Sequence, residues 1–156
     1  MTAHVGGMVE VCIFRIRNSV PEVLLLRRAA DEDRYPGIWQ NVTGTVHDGE
    51  DSIAAAKREL EEETGLAPVR FWVVPHISSF YDRTRDVVVS VPLFAAEVGV
   101  EASPVLSREH DLLAWLPFSE AASRLVWPAQ RSGLDIVLQY IVGGGAASRL
   151  SEIPVL

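Results

Sequence analysis

The sequence predicts an α/β protein in which one curved, mixed β-sheet lies between α-helices. Strand-like segments with alternating or β-branched residues recur at residues 8–17, 22–28, 69–81 and 87–98. A helical pattern with its own start and stop signals, residues 51–64, interrupts this series. A second long helical pattern begins near Pro128. Strands and helices in this order are typical of a sheet covered by helices on both faces.

Length and composition indicate a single domain. The chain has 156 residues, of which 48% are hydrophobic, and this is sufficient for one hydrophobic core. We place that domain at residues 1–142. Residues 143–156 are expected to form a glycine hinge followed by a C-terminal tail.

The N-terminal elements are expected to be neighbouring strands. The turn NSVP, residues 18–21, separates the strand at 8–17 from the strand at 22–28. A polar loop then ends in a Pro-Gly pair, and the sequence IWQNVTG continues as a short extended segment. This segment leads directly into the first helix.

The first helix carries signals at both ends. Asp51 or Ser52 is positioned to cap its N-terminus. Gly65 is positioned to end the helix in the left-handed conformation, and Pro68 lies just beyond. The helix is therefore expected to occupy the stretch between these residues.

The C-terminal half is expected to contain a long hairpin, one further strand and two helices. Polar residues 82–86 form the turn of the hairpin. A short strand at 112–118 follows, and Ser119 is positioned to cap a helix that runs to Leu125. The last helix begins near Pro128 and runs to the glycine run.

Charge and composition exclude several functions. The formal net charge is −7 and no basic run is present, so nucleic-acid binding is not expected. No apolar run is long enough to cross a membrane, and the N-terminus lacks the pattern of a secretory signal peptide. The single cysteine, Cys12, cannot form an internal disulfide, which favours a reducing, cytoplasmic setting.

Most of the net charge is confined to one short segment. Between Asp48 and Glu63 the chain carries seven acidic residues against Lys57 and Arg58, a balance of −5. The rest of the chain has 14 acidic and 12 basic residues and contributes only −2. Like charges at helical neighbour spacing repel one another, so we expect a local cause for their concentration.

A helical wheel shows where these acids lie. One stripe is apolar and is expected to face the core: Ile53, Ala56 and Leu60. Glu59, Glu62 and Glu63 gather beside that stripe, whereas Glu61 lies apart from them. Carboxylates held together at a half-buried rim require protons or cations, and oxygen ligands suit Mg²⁺ or Mn²⁺. The alternative is a solvated surface helix that is rich in glutamate.

Residues 44–66 resemble the Nudix box, G-x5-E-x7-R-E-U-x-E-E-x-G-U, in which U is a bulky aliphatic residue. Every fixed position is filled, by Gly44, Glu50, Arg58, Glu59, Leu60, Glu62, Glu63, Gly65 and Leu66. The resemblance implies the Nudix hydrolase fold, with a curved mixed sheet between helices. It also implies cleavage of a nucleoside diphosphate linked to another moiety, with Mg²⁺ or Mn²⁺ as cofactor.

The resemblance assigns roles to residues of the box. Glu59 and Glu63 are the expected metal ligands, Glu62 a further one, and the carbonyl oxygen of Gly44 completes the group. Arg58 is expected to orient these glutamates through ion pairs, and its alternative is an ordinary surface pair. Because family members differ over which glutamate is the catalytic base, that role stays divided.

One more acid is expected from outside the box. Residues 107–121, SREHDLLAWLPFSEA, resemble the downstream Glu-His…Trp…Glu-Ala pattern of several Nudix branches. Glu109 is therefore expected as a further metal ligand or base. His110 either assists it or is structural, and Glu97 is the competing acid.

The substrate is expected to be a polyphosphate. Residues 8–142 resemble the branch around dihydroneopterin triphosphate pyrophosphatase, which implies release of pyrophosphate from a pterin or nucleoside triphosphate. Dinucleoside polyphosphate hydrolases and enzymes that remove oxidised nucleotides are the alternatives. Arg28 is expected to contact phosphates and Gln40 a base edge. Trp39 or Tyr81 is expected to stack on a ring, although Trp39 is alternatively a core aromatic.

Two functions of other classes are also compatible with the sequence. A catalytically inactive Nudix module would bind a nucleotide and regulate a partner, but it would not need the full set of glutamates. An assembly protein would use the partly apolar tail to reach a second copy of the chain and form a homodimer.

Overall fold

A computed structural model describes residues 1–155 of the chain. The first strands are β1 (Ala3–Val5), β2 (Met8–Arg17), β3 (Val20–Arg28), β4 (Trp39–Gln40) and β5 (Val42–Thr45). Helix α1 (Ser52–Thr64) is followed by strands β6 (Arg70–Asp82), β7 (Val87–Glu97) and β8 (His110–Pro117). The C-terminal elements are α2 (Phe118–Arg124), α3 (Pro128–Ile136), a π-helical continuation (Val137–Val142), α4 (Ala146–Ser151) and β9 (Glu152–Ile153).

The strands form one mixed sheet. Its main order is β4, β3, β2, β7, β6 and β9, while β1 pairs with β7, β5 with β2 and β8 with β3. The central pair, β2 and β7, is parallel, whereas β6 and β7 form the long antiparallel hairpin that the sequence predicts. The sheet is therefore mixed, as expected.

The sheet is split where the candidate site lies. β2 and β3 pair only near their shared turn. Further along, the segment 39–45 fills the space between them, because Gln40 pairs with Leu26 of β3 and Gly44 pairs with Val9 of β2. This wedge carries Gly44 to the edge of helix α1.

The hydrophobic core lies on both faces of the sheet. Side chains of β2 alternate between the two faces, as expected for a strand buried on both sides. Val9 and Val11 pack in the cluster that contains Leu60 of α1. Cys12 and Phe14 pack in the opposite cluster, against α2, α3 and the π-helical continuation. The predicted arrangement of helices on both faces is confirmed.

The ends of α1 match the sequence signals. The Asp51 carboxylate accepts the backbone N–H of Ala54 at 2.8 Å, and Gly65 adopts a φ of 67°. Ile53, however, is not a core residue, since 36% of it is exposed. The buried stripe of α1 instead extends from Ala56 and Leu60 toward the C-terminal end of the helix.

The cap predicted for the second helix is wrong. Helix α2 begins at Phe118, and Pro117 occupies the N-cap position without a side-chain hydrogen bond. Strand β8 runs straight into α2, so Ser119 already lies inside the first turn. The last helix begins at Pro128 as predicted and reaches the glycine run through its π-helical continuation.

The C-terminal segment folds back onto its own sheet. After the glycine run, helix α4 leads into β9, which pairs with Phe71 and Trp72 of β6. The Arg70 guanidinium donates to the Glu152 carboxylate at 2.6 Å and fixes this strand. The domain boundary at residue 142 and the homodimer stay predictions. Within residues 1–155, no helix has the length and apolar composition required to cross a bilayer.

Candidate active site

Helix α1 presents three of its glutamates at one edge of the sheet. Leu60 is fully buried in the core and fixes the rotation of the helix. Glu59 and Glu63 flank this anchor on the side of Gly44, and Glu62 lies further out with 57% of its side chain exposed. Glu61 points to solvent. The separation predicted from the helical wheel is thus present in the structure.

Arg58 connects the glutamates to the start of the loop. Its guanidinium donates to Glu50 Oε2 (2.8 Å) and Oε1 (2.9 Å), Glu59 Oε1 (2.9 Å), Glu62 Oε2 (3.0 Å) and the Thr45 carbonyl (2.7 Å). The Arg58 contact, followed by the backbone N–H of His47, lowers the pKa of Glu50 to about 2. Only 21% of the Arg58 side chain is exposed, so these contacts are more shielded from solvent than those of an ordinary surface pair.

Gly44 lies against the side chain of Glu59. A Cβ atom at this position would overlap Cγ and Cδ of Glu59. With Glu59 in this position, only glycine fits at residue 44, and any larger residue would require the Glu59 side chain to move. The same contact places the backbone of Gly44 beside a carboxylate.

Glu63 and Glu109 form a carboxyl pair. Glu63 is only 3% exposed, and its Oε2 has no hydrogen-bond partner within residues 1–155. Burial, followed by the negative charges of Glu109 and Glu59, raises the pKa of Glu63 to about 9. The metal-free pair therefore holds a proton at neutral pH, and its buried oxygen is available to a cation.

The loop that carries Glu109 is attached to the end of α1 and to strand β3. Val105 N–H donates to the Thr64 carbonyl at 2.8 Å, and Ser107 N–H donates to the Glu63 carbonyl at 3.4 Å. The Glu109 carbonyl in turn accepts Ala29 N–H at 2.9 Å. These bonds hold residues that are distant in the sequence in one constellation.

Two adjoining clefts open at this constellation. The first has a volume of about 380 Å³ and is lined by Glu59, Glu62, Glu63, Ser107, Arg108 and Glu109. The second has a volume of about 290 Å³ and is lined by Met8, Arg28, Glu32, Thr43, Gly44, Thr45, Glu59 and Glu109. Glu59 and Glu109 line both clefts, so these two carboxylates lie where the clefts adjoin.

The structure brings together most of the predicted site but not all of it. Arg28 lines the second cleft, where it donates to the Arg34 carbonyl at 2.6 Å. Gln40 is 6% exposed and bonded to His110, so it does not reach a substrate as the residues stand. Trp39 packs against the core on the opposite face, and the Tyr81 hydroxyl donates to Asp86 away from both clefts.

Two features were not predicted from the sequence, and a third concerns His110, whose role the sequence left open. Arg108 lines the first cleft directly beside Glu109 and is a second cationic side chain, in addition to Arg28. Tyr35 and Trp127 form an exposed edge-to-face pair with ring centroids 5.4 Å apart. His110 is buried, and burial lowers its pKa to about 4. Arg108 directly precedes Glu109 in the sequence, and this position could have predicted its place at the site. The aromatic pair could not be predicted in this way, because its two residues lie far apart in the chain.

The oxygen atoms of the site can be compared with the ligands that a divalent cation requires. Among residues 1–155, no three Asp, Glu, His or Cys side chains already enclose a single metal position. Arg58 holds the Glu59 carboxylate, and Glu63 faces Glu109. The donors at the site are nevertheless all oxygens, and the unpartnered Glu63 Oε2 is the type of ligand that Mg²⁺ or Mn²⁺ takes.

Curated proteins similar to this chain share part of their length with it. An octanoyltransferase of Myxococcus xanthus is 33% identical over 124 residues, which cover 79% of this chain and 34% of that protein. Nudix hydrolase 6 of Arabidopsis thaliana is 25% identical over 122 residues, covering 77% of this chain and 42% of that protein. The chain thus spans between about a third and two fifths of the length of these two relatives.

Solved structures share the fold. An Ap4A hydrolase of C. elegans superposes with a TM-score of 0.73 at 23% identity, covering 90% of this chain and 99% of that one. The dihydroneopterin triphosphate pyrophosphohydrolase of E. coli gives a TM-score of 0.68 at 23% identity, covering 92% and 100%. Residues 7–135 match the family model of the NUDIX domain. Together with the arrangement of the box residues, this match shows that the chain belongs to the NUDIX domain family.

Proposed function

We propose that this domain hydrolyses a phosphoanhydride bond of a nucleotide or pterin triphosphate, releases pyrophosphate, and requires Mg²⁺ or Mn²⁺. The observation that carries this proposal is the Glu63–Glu109 carboxyl pair, which adjoins the Arg58-oriented Glu59 in an open cleft. A buried Glu63 carboxyl that keeps an unpartnered oxygen is costly for the fold, and a cation site accounts for that cost.

The chain's own residues would bind and orient the reactants. Glu59, Glu63 and Glu109 would hold the cation, with Glu62 and the Gly44 carbonyl as further donors. When bound, the cation neutralises phosphate charge and increases the acidity of water. A water molecule would attack phosphorus in line as the bond to the leaving pyrophosphate breaks, and its proton would pass to one of the glutamates of the site. Which glutamate is the base stays divided.

Phosphate contacts would come from the two clefts, and ring contacts from an aromatic pair outside their lining. Arg28 and Arg108 supply guanidinium groups beside the carboxylates and are suited to phosphate oxygens. The exposed rings of Tyr35 and Trp127 are suited to stacking on a heterocycle. Tyr35 follows Glu32 in the same loop, and Glu32 lines the second cleft. This arrangement supports a substrate with a ring at one end and phosphates at the other.

A substrate comparison tests the proposal. Release of phosphate or pyrophosphate is measured at fixed Mg²⁺ with dihydroneopterin triphosphate, dATP, an oxidised guanine triphosphate, diadenosine tetraphosphate and inorganic triphosphate. The proposal expects a pterin or nucleoside triphosphate to be cleaved fastest and inorganic triphosphate to be poor because it lacks a ring. Fastest cleavage of the dinucleotide would favour the dinucleoside polyphosphate alternative. Binding without turnover of any compound would favour the inactive module.

Metal binding is expected to release protons. Because the pKa of Glu63 is about 9 in the metal-free protein, this carboxyl is protonated at neutral pH and must ionise to bind a cation. Mn²⁺ binding near neutral pH should therefore release about one proton, and the affinity should increase as the pH rises. Titration calorimetry in buffers of different ionisation enthalpy measures this number. Heats that do not depend on the buffer would contradict the assignment.

Gly44→Ala is expected to lower kcat by about 10²-fold, because the added Cβ forces Glu59 out of its place beside Arg58. Steady-state kinetics and circular dichroism would separate this effect from unfolding. Gly99→Ala is the matched control, since a Cβ at Gly99 meets no atom within 4 Å. Equal activity of the two variants would show that the close approach of Gly44 does not matter for the reaction.

A further inference from the structure

A buried hydrogen bond lies directly behind Glu109. Gln40 Nε2 is 2.9 Å from His110 Nε2, and the two residues are 6% and 4% exposed. An amide N–H can only donate, so Nε2 of the ring accepts this bond and the imidazole is neutral. Within residues 1–155, the other ring nitrogen, Nδ1, has no partner. The contact with Gln40 is therefore what orients the ring.

A β-bulge turns His110 toward Gln40. Arg27 pairs with Leu112, but the next residue, Arg28, pairs with His110, so Asp111 is an extra residue in β8. The Arg27 guanidinium donates to the Asp111 carboxylate at 2.9 and 3.1 Å and fixes the bulge. As a result, His110 lies on the same face of the sheet as helix α1.

Gln40 lies on that face for an independent reason. It pairs with Leu26, which belongs to the core cluster under α1. Paired residues of neighbouring strands project to the same side of a sheet. The amide of Gln40 is therefore directed at the ring by the pairing of β4 with β3, and the hydrogen bond joins β4 to the first residue of β8.

Glu109 needs such support because it faces a buried acid. Its side chain lines the same cleft as Glu63, and its negative charge contributes to the raised pKa of Glu63. The carbonyl of Glu109 is bonded to Ala29, and its N–H is 3.4 Å from the Ser107 hydroxyl. On its C-terminal side, the anchor is the buried ring of His110.

We infer that the Gln40–His110 hydrogen bond positions the Glu109 carboxylate opposite Glu63, which makes Gln40 and His110 positioning residues rather than substrate contacts. This inference rests on the proposed function of Glu109. It replaces the predicted role of Gln40 in reading a base edge. It also explains the bulge in β8, because without the extra residue the His110 ring would face the opposite side of the sheet.

A double-mutant cycle tests the inference. Gln40→Met, which keeps the volume and loses the donor, is combined with Glu109→Gln. Two quantities are measured: kcat on the substrate that the unmodified protein cleaves fastest, and Mn²⁺ affinity without substrate. Gln40→Met alone should reduce kcat by about 10-fold or more and weaken Mn²⁺ binding. In the Glu109→Gln background it should change neither. His110→Phe breaks the same bond from the other side and should behave alike.

Asn41→Leu is the matched control. Asn41 is the neighbouring buried amide, and its Nδ2 donates to Glu10 on the other face of the sheet at 2.7 Å. The variant Asn41→Leu also removes a buried hydrogen bond. Its effect on kcat and Mn²⁺ affinity should not depend on Glu109 and should persist in full in the Glu109→Gln background. If the effects of Gln40→Met and His110→Phe also persisted in full in the Glu109→Gln background, the inference would be overturned. If Glu109→Gln alone changes neither quantity, the role of Glu109 in the proposed function fails, and the positioning role fails with it.

Discussion

Glu63→Gln is expected to lower kcat by at least about 10²-fold while the protein stays folded. The substitution removes a negative charge and almost no volume, so packing around Leu60 is preserved. The amide cannot take the proton of an attacking water and binds a divalent cation far more weakly than a carboxylate does. Steady-state kinetics at saturating Mg²⁺ would measure the loss of turnover. Near wild-type turnover would remove Glu63 from the metal site.

The same variant is expected to be more stable than the unmodified chain when metal is absent. The pKa of Glu63 is about 9 in the folded protein, against 4.5 for the free group. A carboxyl whose pKa is raised on folding stabilises the folded state fully when the pH is below its pKa in the unfolded chain. This stabilisation is lost as the pH rises through its pKa in the folded protein. The free energy of unfolding of the metal-free protein should therefore fall between these two pH values.

Gln at position 63 cannot ionise and should remove this pH dependence. Near neutral pH the variant should gain up to about 3 kcal/mol in the free energy of unfolding. Denaturant unfolding in the presence of a chelator, at several pH values, would measure the gain. A metal-free variant that is less stable than the unmodified protein at every pH would contradict the buried, protonated state of Glu63.

Glu61→Gln is the control for both effects. Glu61 carries the same charge on the same helix but is exposed and lines neither cleft. Its substitution should leave kcat within about 2-fold, and stability within about 0.5 kcal/mol, of the unmodified protein. A large loss from Glu61→Gln would mean that the overall charge of α1 matters more than the position of each carboxylate.

Arg58→Lys is expected to lower kcat by about 10²-fold and the free energy of unfolding by about 1–3 kcal/mol. Lysine keeps the positive charge, but it cannot donate to both Glu50 oxygens while reaching Glu59 and the Thr45 carbonyl. The carboxylates would then lose the orientation that the guanidinium gives them. Kinetics and thermal unfolding in the presence of Mg²⁺ would measure the two effects.

Arg85→Lys is the matched control for this substitution. The Arg85 guanidinium donates to Asp82 at 2.8 Å, but 60% of its side chain is exposed, so the pair contributes little to stability. This variant should be close to the unmodified protein in kcat and in unfolding. If Arg58→Lys proved equally mild, the Arg58 contacts would be ordinary surface pairs, the alternative that the sequence also allowed.

Helix α1 could be predicted from the sequence almost completely. Its caps, its buried side and the separation of Glu61 from the other glutamates all depend on neighbours within a few residues. The error at Ile53 has the same origin, because a helical wheel gives the direction of a side chain but not where the covering sheet ends. Ser119 failed as a cap because strand β8 continues without a break into α2.

The sequence by itself determined the helical part of the box, since helical spacing alone brings Arg58, Glu59 and Glu62 together. The tertiary structure decided which distant residues meet them. The loop that carries Glu109 is bonded to the end of α1, and Gln40 meets His110 because strand pairing and a single extra residue in β8 set the direction of their side chains. Such register depends on hydrogen bonds between segments far apart in the chain, and no local pattern of residue types encodes it.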